Sequence, residues 1–270
     1  LAGAARVGLS PARLADAVQP LATVLDALHR AHAAVAGSPE PGARIAAELV
    51  WEKIEIARAG LAAAAGVGIE AVCDREAVAP GEAAAIVASV WNSGGEAVEA
   101  LAVELSGSQD WRVESREIDP ASASVWELDG TSGVGVEQWG FSARLAPDAE
   151  PSRPYFLAAP RRDDLYDWSR GSPGLRGLPH QEPELVARFR LSIAGREVEL
   201  TREVVRRLRD QALGEVRRPL RAVPAVEVAV APATLLWDVD DRAARHARVT
   251  VVSHLTAPAA GEVVSAAPPG

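Results

Sequence analysis

The sequence predicts a mainly β protein: an antiparallel, immunoglobulin-like β-sandwich preceded by a helical hairpin and followed by the start of a second, truncated β-sandwich. Three observations carry that expectation. Apolar residues recur at three- and four-residue spacing up to about Ala65, then at two-residue spacing from Ile69 onward. Clusters of Gly, Pro, Asn, Asp and Ser bound each short apolar run beyond Ile69. No helical pattern intervenes between those runs, which separates a sandwich from an alternating α/β fold.

The elements follow in order. Ser10-Pro11 is a helix-start signal, and Leu14, Val18, Leu21, Leu25 and Leu28 form one apolar stripe over 10–36. Pro20 is expected to kink or split this helix, because it removes a ladder donor and clashes with the preceding turn. A second, Ala-rich helix is expected over 41–65, ended by Gly66-Val67-Gly68. Two helices this small do not bury both stripes alone, so Leu49, Trp51, Ile54 and Ile56 are expected to dock on a domain that is absent. The strands begin with Ile69, Ala71 and Cys73 alternating against polar neighbours. They continue as Ala83–Trp91, Val98–Leu105, Trp111–Ile118, Ser124–Leu128 and Val136–Leu145. Asn92-Ser93-Gly94-Gly95 and Ala194-Gly195 read as hairpin turns, the latter joining Glu184–Ile193 to Glu197–Val205. Residues 158–183 form a long Pro-, Gly-, Arg- and Asp-rich loop, of the kind that is functional or mobile in compact domains. Residues 206–222 are charged and fit a strand extension, a short helix or an arm equally well. The strand pattern restarts at Val226, Val228 and Val230, with Leu235-Leu236-Trp237 and Ala247–His254 as further strands. The organisation expected is therefore a helical hairpin over 1–67, a β-sandwich over 68–222 and an incomplete second sandwich over 223–270. Trp91, Trp111, Trp126, Trp139 and Trp237 fall on these strands and are expected in the core.

With 270 residues, 48% hydrophobic and 24% charged, the chain has the composition of a globular protein. A net charge of −9 argues against a nucleic-acid partner, since no broad basic face is available to displace counterions. Lys53 is the single lysine, and the Ala, Gly, Val, Pro and Arg richness reads as a coding-composition bias rather than a phosphate-binding device. The chain contains no methionine and opens on Leu1, which suggests that coding sequence precedes it. The single cysteine, Cys73, excludes an intrachain disulfide and is expected to pack as a small hydrophobe. No apolar run is long enough for a membrane span.

No catalytic constellation stands out. His29 and His32 are three apart on a helix but have no third ligand at metal spacing. Asp163, Asp164, Asp167 and Glu182 lack the alternating oxygens and glycine turn of a calcium loop. Neither a phosphate-binding glycine loop nor a nucleophile elbow occurs. The residues singled out for contact with a ligand or a neighbouring domain are Arg161, Arg162, Tyr166 and Trp168. Aromatic rings in a Pro/Arg loop at the end of a sandwich can stack on sugars or anchor a partner; the plainer reading is that they staple the loop to the sandwich.

Four stretches carry a resemblance. They are the helix around Glu48-Leu49 and Glu55-Ile56, Pro80-Gly81-Glu82 with Val90-Trp91-Asn92-Ser93-Gly94, Arg153-Pro154-Tyr155-Phe156-Leu157 with Asp164-Leu165-Tyr166-Asp167-Trp168, and 216–226 (VRRPLRAVPAV). Over most of its length the chain resembles the C-terminal accessory region of bacterial PIG-L (LmbE-like) deacetylases. Those are zinc-dependent hydrolases that remove N-acetyl groups from amino sugars, using a His-Pro-Asp-Asp run that this sequence lacks; Pro147-Asp148 is followed by Ala149. The resemblance implies that the catalytic domain, with its zinc, precedes Leu1. It implies no cofactor and no catalytic residue in this region, a same-chain catalytic domain and a glycan as partners, and a secreted or cell-envelope setting. The sandwich also looks similar to β-domains appended to glycosidases. Two further readings stay open: a stand-alone carbohydrate- or protein-binding module, and a structural spacer of a surface protein.

Overall fold

The computed structural model describes residues 11–108, 110–118, 136–170, 175, 177–234 and 246–264. The expected strands at Ser124–Leu128 and Leu235-Leu236-Trp237, with Trp126 and Trp237, lie outside the described residues.

The chain is mainly β, with the helices at its N-terminal side. An irregular 3-10 turn, Pro11–Ala17, leads into α1 (Val18–Ala36). Pro20 therefore sits in the first turn of α1, where its missing N–H would have had no intrahelical partner, and the helix is neither kinked nor split there. α2 (Ala43–Ala65) ends on Gly66 in the left-handed conformation, φ 77°. That cap fits directly against the turn at Ser93-Gly94: the Ser93 N–H donates to Gly66 O at 2.9 Å, and a Cβ on Gly94 would collide with the Ala65 carbonyl. The two glycines let a helix end and a hairpin turn touch backbone to backbone.

Helical rotation of about 100° per residue divides α2 into two opposite faces. Ile54, Ala57, Leu61 and Ala65 point inward and are buried, joined by Val18, Ala22 and Leu25 of α1. Ile45, Leu49 and Ile56 point the other way and are more than half exposed. The expectation for Ile54 is corrected by this phasing. It lies fully inside the helical core, whereas Leu49, Trp51 and Ile56 are exposed.

The sandwich consists of two layers. β1 (Val67–Cys73), β3 (Ala83–Asn92), β5 (Trp111–Arg116), β6 (Val136–Leu145), β9 (Val205–Asp210) and β10 (Gly214–Pro219) form a six-stranded sheet in the order β10-β9-β1-β3-β6-β5. β4 (Val98–Gly107), β7 (Leu185–Ile193) and β8 (Arg196–Glu203) form the facing three-stranded sheet, β4-β7-β8. Pairing is antiparallel apart from β1 with β9 and the short pair β2 (Ala77–Val78) with β11 (Arg221–Ala222). The undecided residues 206–222 thus form the β9–β10 hairpin and β11, hung parallel on the first two strands.

Alternation fixes the interior. Ile69, Ala71 and Cys73 meet Ile86 and Phe141 across the inner face of one sheet, opposite Phe189, Leu191 and Ile193 of the other, in one continuous cluster with the helical core. Each fully buried Leu, Ile or Phe contributes about 1.5–3 kcal/mol of burial. β4 shows how the pattern is re-phased. A bulge between Ala100 and Ala102 turns Leu101 outward, 46% exposed, and shifts the inward set from Val98 and Ala100 to Val103 and Leu105. Trp111 is buried and Trp139 packs partly into the core, while Trp91 lies across Gly68, where any side chain would collide with its ring.

The outer face of the larger sheet holds a buried carboxylate. Glu70 is 2% exposed and accepts from Arg207 Nη1 at 3.1 Å. Arg217 Nη2 stands 2.7 Å from Oε1 but off the hydrogen-bond direction, an ionic contact only. Arg207 and Arg217 face each other across β9–β10, so Glu70 neutralises a like-charge pair that would otherwise repel.

Beyond the sandwich, β12 (Val226–Ala231) and β13 (Arg248–Ser253) form an antiparallel hairpin. Val226, Val228 and Val230 share a face with Val249 and Val251, and all five are 43–55% exposed. Thr256, just past β13, returns to the sandwich: its N–H and Oγ1 donate to the Glu82 carboxylate at 3.2 and 2.8 Å.

Candidate functional site

The β7–β8 ribbon separates two ends of the molecule. Eight residue pairs run from Ile193↔Arg196 to Val186↔Glu203, roughly 23 Å at about 3.3 Å per residue. The helices cap the first end, where Arg196 binds Asp26 at 3.1 Å and the Ser93 turn meets Gly66. The second end carries the long loop and a groove.

The groove, about 590 Å³, is walled by Ser152–Pro154 and Phe156 on one limb and Pro179–Glu184 on the other, and closed by Glu203 and by Pro219–Arg221. Its walls are tied together before any ligand arrives. Buried Tyr155 donates its hydroxyl proton to Leu178 O at 2.9 Å and accepts from the Gly177 N–H at 3.2 Å, linking the two limbs. Deeper, Trp111 Nε1 and Ser152 Oγ donate to the two oxygens of Glu184 at 3.1 and 2.6 Å. Ser152 also exchanges two 2.8 Å bonds with the backbone of Ala222, anchoring the limb to β11.

The four residues singled out from the sequence lie next to this groove, not in its lining. Tyr166 packs edge-on against Phe156 at 5.6 Å, and Trp168 edge-on against Tyr155 at 5.8 Å. Both rings therefore brace the aromatic pair of which one member, Phe156, faces the groove. Tyr166 is 46% exposed. Arg161 and Arg162 are exposed at the tip of the loop, in a tight turn with Asp163 at φ 49° and a backbone bridge between Arg162 and Leu165. Asp167 follows that turn and accepts from Ser169; hydrogen bonds from the side chain and backbone of Ser169 hold its carboxyl below the usual range.

Sequence reading missed Arg153, Glu203 and Arg221 as lining residues. Glu203 and Arg221 flank the β9–β10 hairpin, whose antiparallel register closes on Pro219↔Val205 and on the Leu220 N–H to Val204 O bond, and this pairing brings them to one rim.

The helical end offers a different surface. Trp51 is flanked by His32, 5.4 Å between ring centroids, and by the Arg58 guanidinium, 5.1 Å from its ring. Burial, with the Arg58 charge secondary, lowers the His29 pKa, so this imidazole stays neutral to more acidic pH than a free one. Cys73 lies in the sandwich interior, its thiol pushed up to about 12 by burial and the Asp74 charge, which leaves it protonated and inert at neutral pH.

Among the described residues, no three His, Cys, Asp or Glu side chains converge as metal ligands. No described helix is long and apolar enough to cross a membrane. In comparison with known proteins, no family model matches the chain and no curated protein matches it.

Proposed function

We propose that the chain is a non-catalytic accessory β-sandwich region of a PIG-L-like, zinc-dependent N-acetylglucosaminyl deacetylase, docked to its catalytic domain through the helical hairpin. One observation supports this reading above the rest: α2 carries large apolar residues on two opposite faces, the outer set interrupted by Glu52. A surface helix ordinarily carries one apolar stripe; a helix apolar on both sides packs against something on both. Ile54 and Leu61 already fill the inner side, while Ile45, Leu49 and Ile56 stand exposed on the outer one. A domain preceding the helices in the chain would meet this end first.

The test begins with the coding sequence upstream of Leu1. A His-Pro-Asp-Asp run there supports the reading; further sandwich repeats, or an unrelated domain, overturn it. Given such a domain, Leu49→Asp combined with Ile56→Asp in the joined polypeptide is expected to separate the two parts in solution scattering while each stays folded.

The groove favours the second reading, a carbohydrate- or protein-binding module. It lies at the far end of β7–β8, so docking at the helices leaves it open. The two roles are compatible in one chain.

A further inference from the structure

We propose that the groove between Phe156, His180, Glu203 and Arg221 binds a short, uncharged oligosaccharide, with the Phe156 ring as its stacking surface. This deepens the second reading above and stands independently of the helical end.

Volume and rigidity come first. About 590 Å³ lies within the roughly 300–1,000 Å³ of small-ligand clefts. Four prolines, at 154, 179, 183 and 219, restrict the backbone of its walls, and the Tyr155 and Glu184 bonds hold the limbs in place. A prebuilt site loses little conformational entropy on binding.

The polar rim identifies the ligand class. Elsewhere on the sandwich charges are paired across strands, as in Arg188 with Glu199, Arg190 with Glu197 and Arg218 with Glu76. Around the groove, Arg153, Glu182, Glu203 and Arg221 make no side-chain hydrogen bond or ion pair among the described residues. An anionic ligand would face the carboxylates of Glu182 and Glu203. A cationic one would face the two guanidinium groups. A ring of hydroxyls suits both: each hydroxyl can donate to a carboxylate and accept from an arginine. The C–H face of the same pyranose fits a flat aromatic surface, which Phe156 supplies. A proline-rich peptide, by contrast, docks in an aromatic-lined groove that grips successive turns, and one phenyl ring lines this one.

Calorimetric titration of the 270-residue chain with cellotetraose, chitotetraose and maltotetraose tests the proposal, with inorganic phosphate and a proline-rich peptide as counter-probes. At least one tetraose is expected to bind at millimolar Kd or tighter. Phe156→Ala should weaken it about tenfold, the scale of a lost ring contact. Glu203→Gln and Arg221→Gln, both at the rim, should weaken it several-fold while leaving the unfolding midpoint unchanged. If Phe156→Ala disturbs the fold, Glu203→Gln decides alone. Absence of binding by all three sugars overturns the proposal. So does binding indifferent to Phe156→Ala and Glu203→Gln, or preferential binding of phosphate or of the peptide. None of these outcomes bears on docking at the helices.

Discussion

Replacing Tyr155 by Phe removes one oxygen atom and leaves the ring contacts to Phe156 and Trp168 in place. That oxygen donates to Leu178 O at 2.9 Å and accepts from the Gly177 N–H at 3.2 Å, the link between the two limbs of the groove. Each hydrogen bond contributes about 0.5–1.5 kcal/mol net, and a buried group left unpaired costs up to about 3 kcal/mol. Leu178 is 50% exposed, so its freed carbonyl can reach water and the cost falls at the lower end, about 1–2 kcal/mol for the pair. The loss is local, because neither partner belongs to the sandwich core. Amide hydrogen exchange at Gly177 is expected to quicken about tenfold, the factor corresponding to about 1.4 kcal/mol, while the amides of Phe189 and Leu191 keep their protection. Oligosaccharide affinity at the groove should fall in the same variant. Unchanged exchange at Gly177, or equal acceleration in the β7 core, would refute the reasoning that this hydroxyl holds the groove together.

Three other perturbations give distinct readouts. Glu70→Ala removes the carboxylate to which Arg207 donates and leaves Arg207 facing Arg217 on the outer sheet face. Breaking a buried pair costs about 3–5 kcal/mol, so urea unfolding should show a loss of about 3 kcal/mol once the half-exposed Arg217 is discounted; a loss below about 1 kcal/mol would mean that the site is solvated. Cys73, with its thiol at about 12, should resist iodoacetamide at pH 8 in the native state and react once unfolded in urea; native-state labelling would contradict its placement. The Glu82 carboxyl is held below the usual glutamate range by hydrogen bonds from Thr256. Its folded value is depressed, so the contact contributes above the unfolded value and is lost as pH falls through the lower folded one. Nuclear magnetic resonance shifts around residue 256 should therefore move in acid, and Thr256→Val, which removes the hydroxyl donor but keeps the backbone N–H, should move their midpoint to higher pH; an unaltered midpoint in that variant would remove the Thr256 hydroxyl as its cause.

Much of the fold was legible because period reports burial directly. The switch at Ile69 marks where inward side chains begin to alternate, and Ile69, Ala71 and Cys73 do line the core. Where several features compete, period alone fell short. Leu49, Trp51, Ile54 and Ile56 read as one surface, yet helical rotation puts Ile54 opposite Ile56. Pro20 read as a breaker, yet at the third residue of α1 it interrupts no hydrogen bond. Residues 206–222 carry a charge pattern that fits neither face rule, because Arg207 and Arg217 are satisfied by Glu70 from a distant strand. The loop was recognisable as a break in pattern, and its aromatic residues as candidates. The groove itself was not, since Glu203 and Arg221 join Phe156 through strand pairing that leaves no local motif.

The claim on which the functional account rests is that the outer face of α2 is a docking surface. Hydrogen–deuterium exchange on this chain alone and on the same chain joined to the catalytic domain proposed to precede it measures that face directly. The account predicts added protection centred on Ile45–Ile56 and none at the groove residues Phe156 and Glu203. Identical exchange over α2 in the two polypeptides would contradict it.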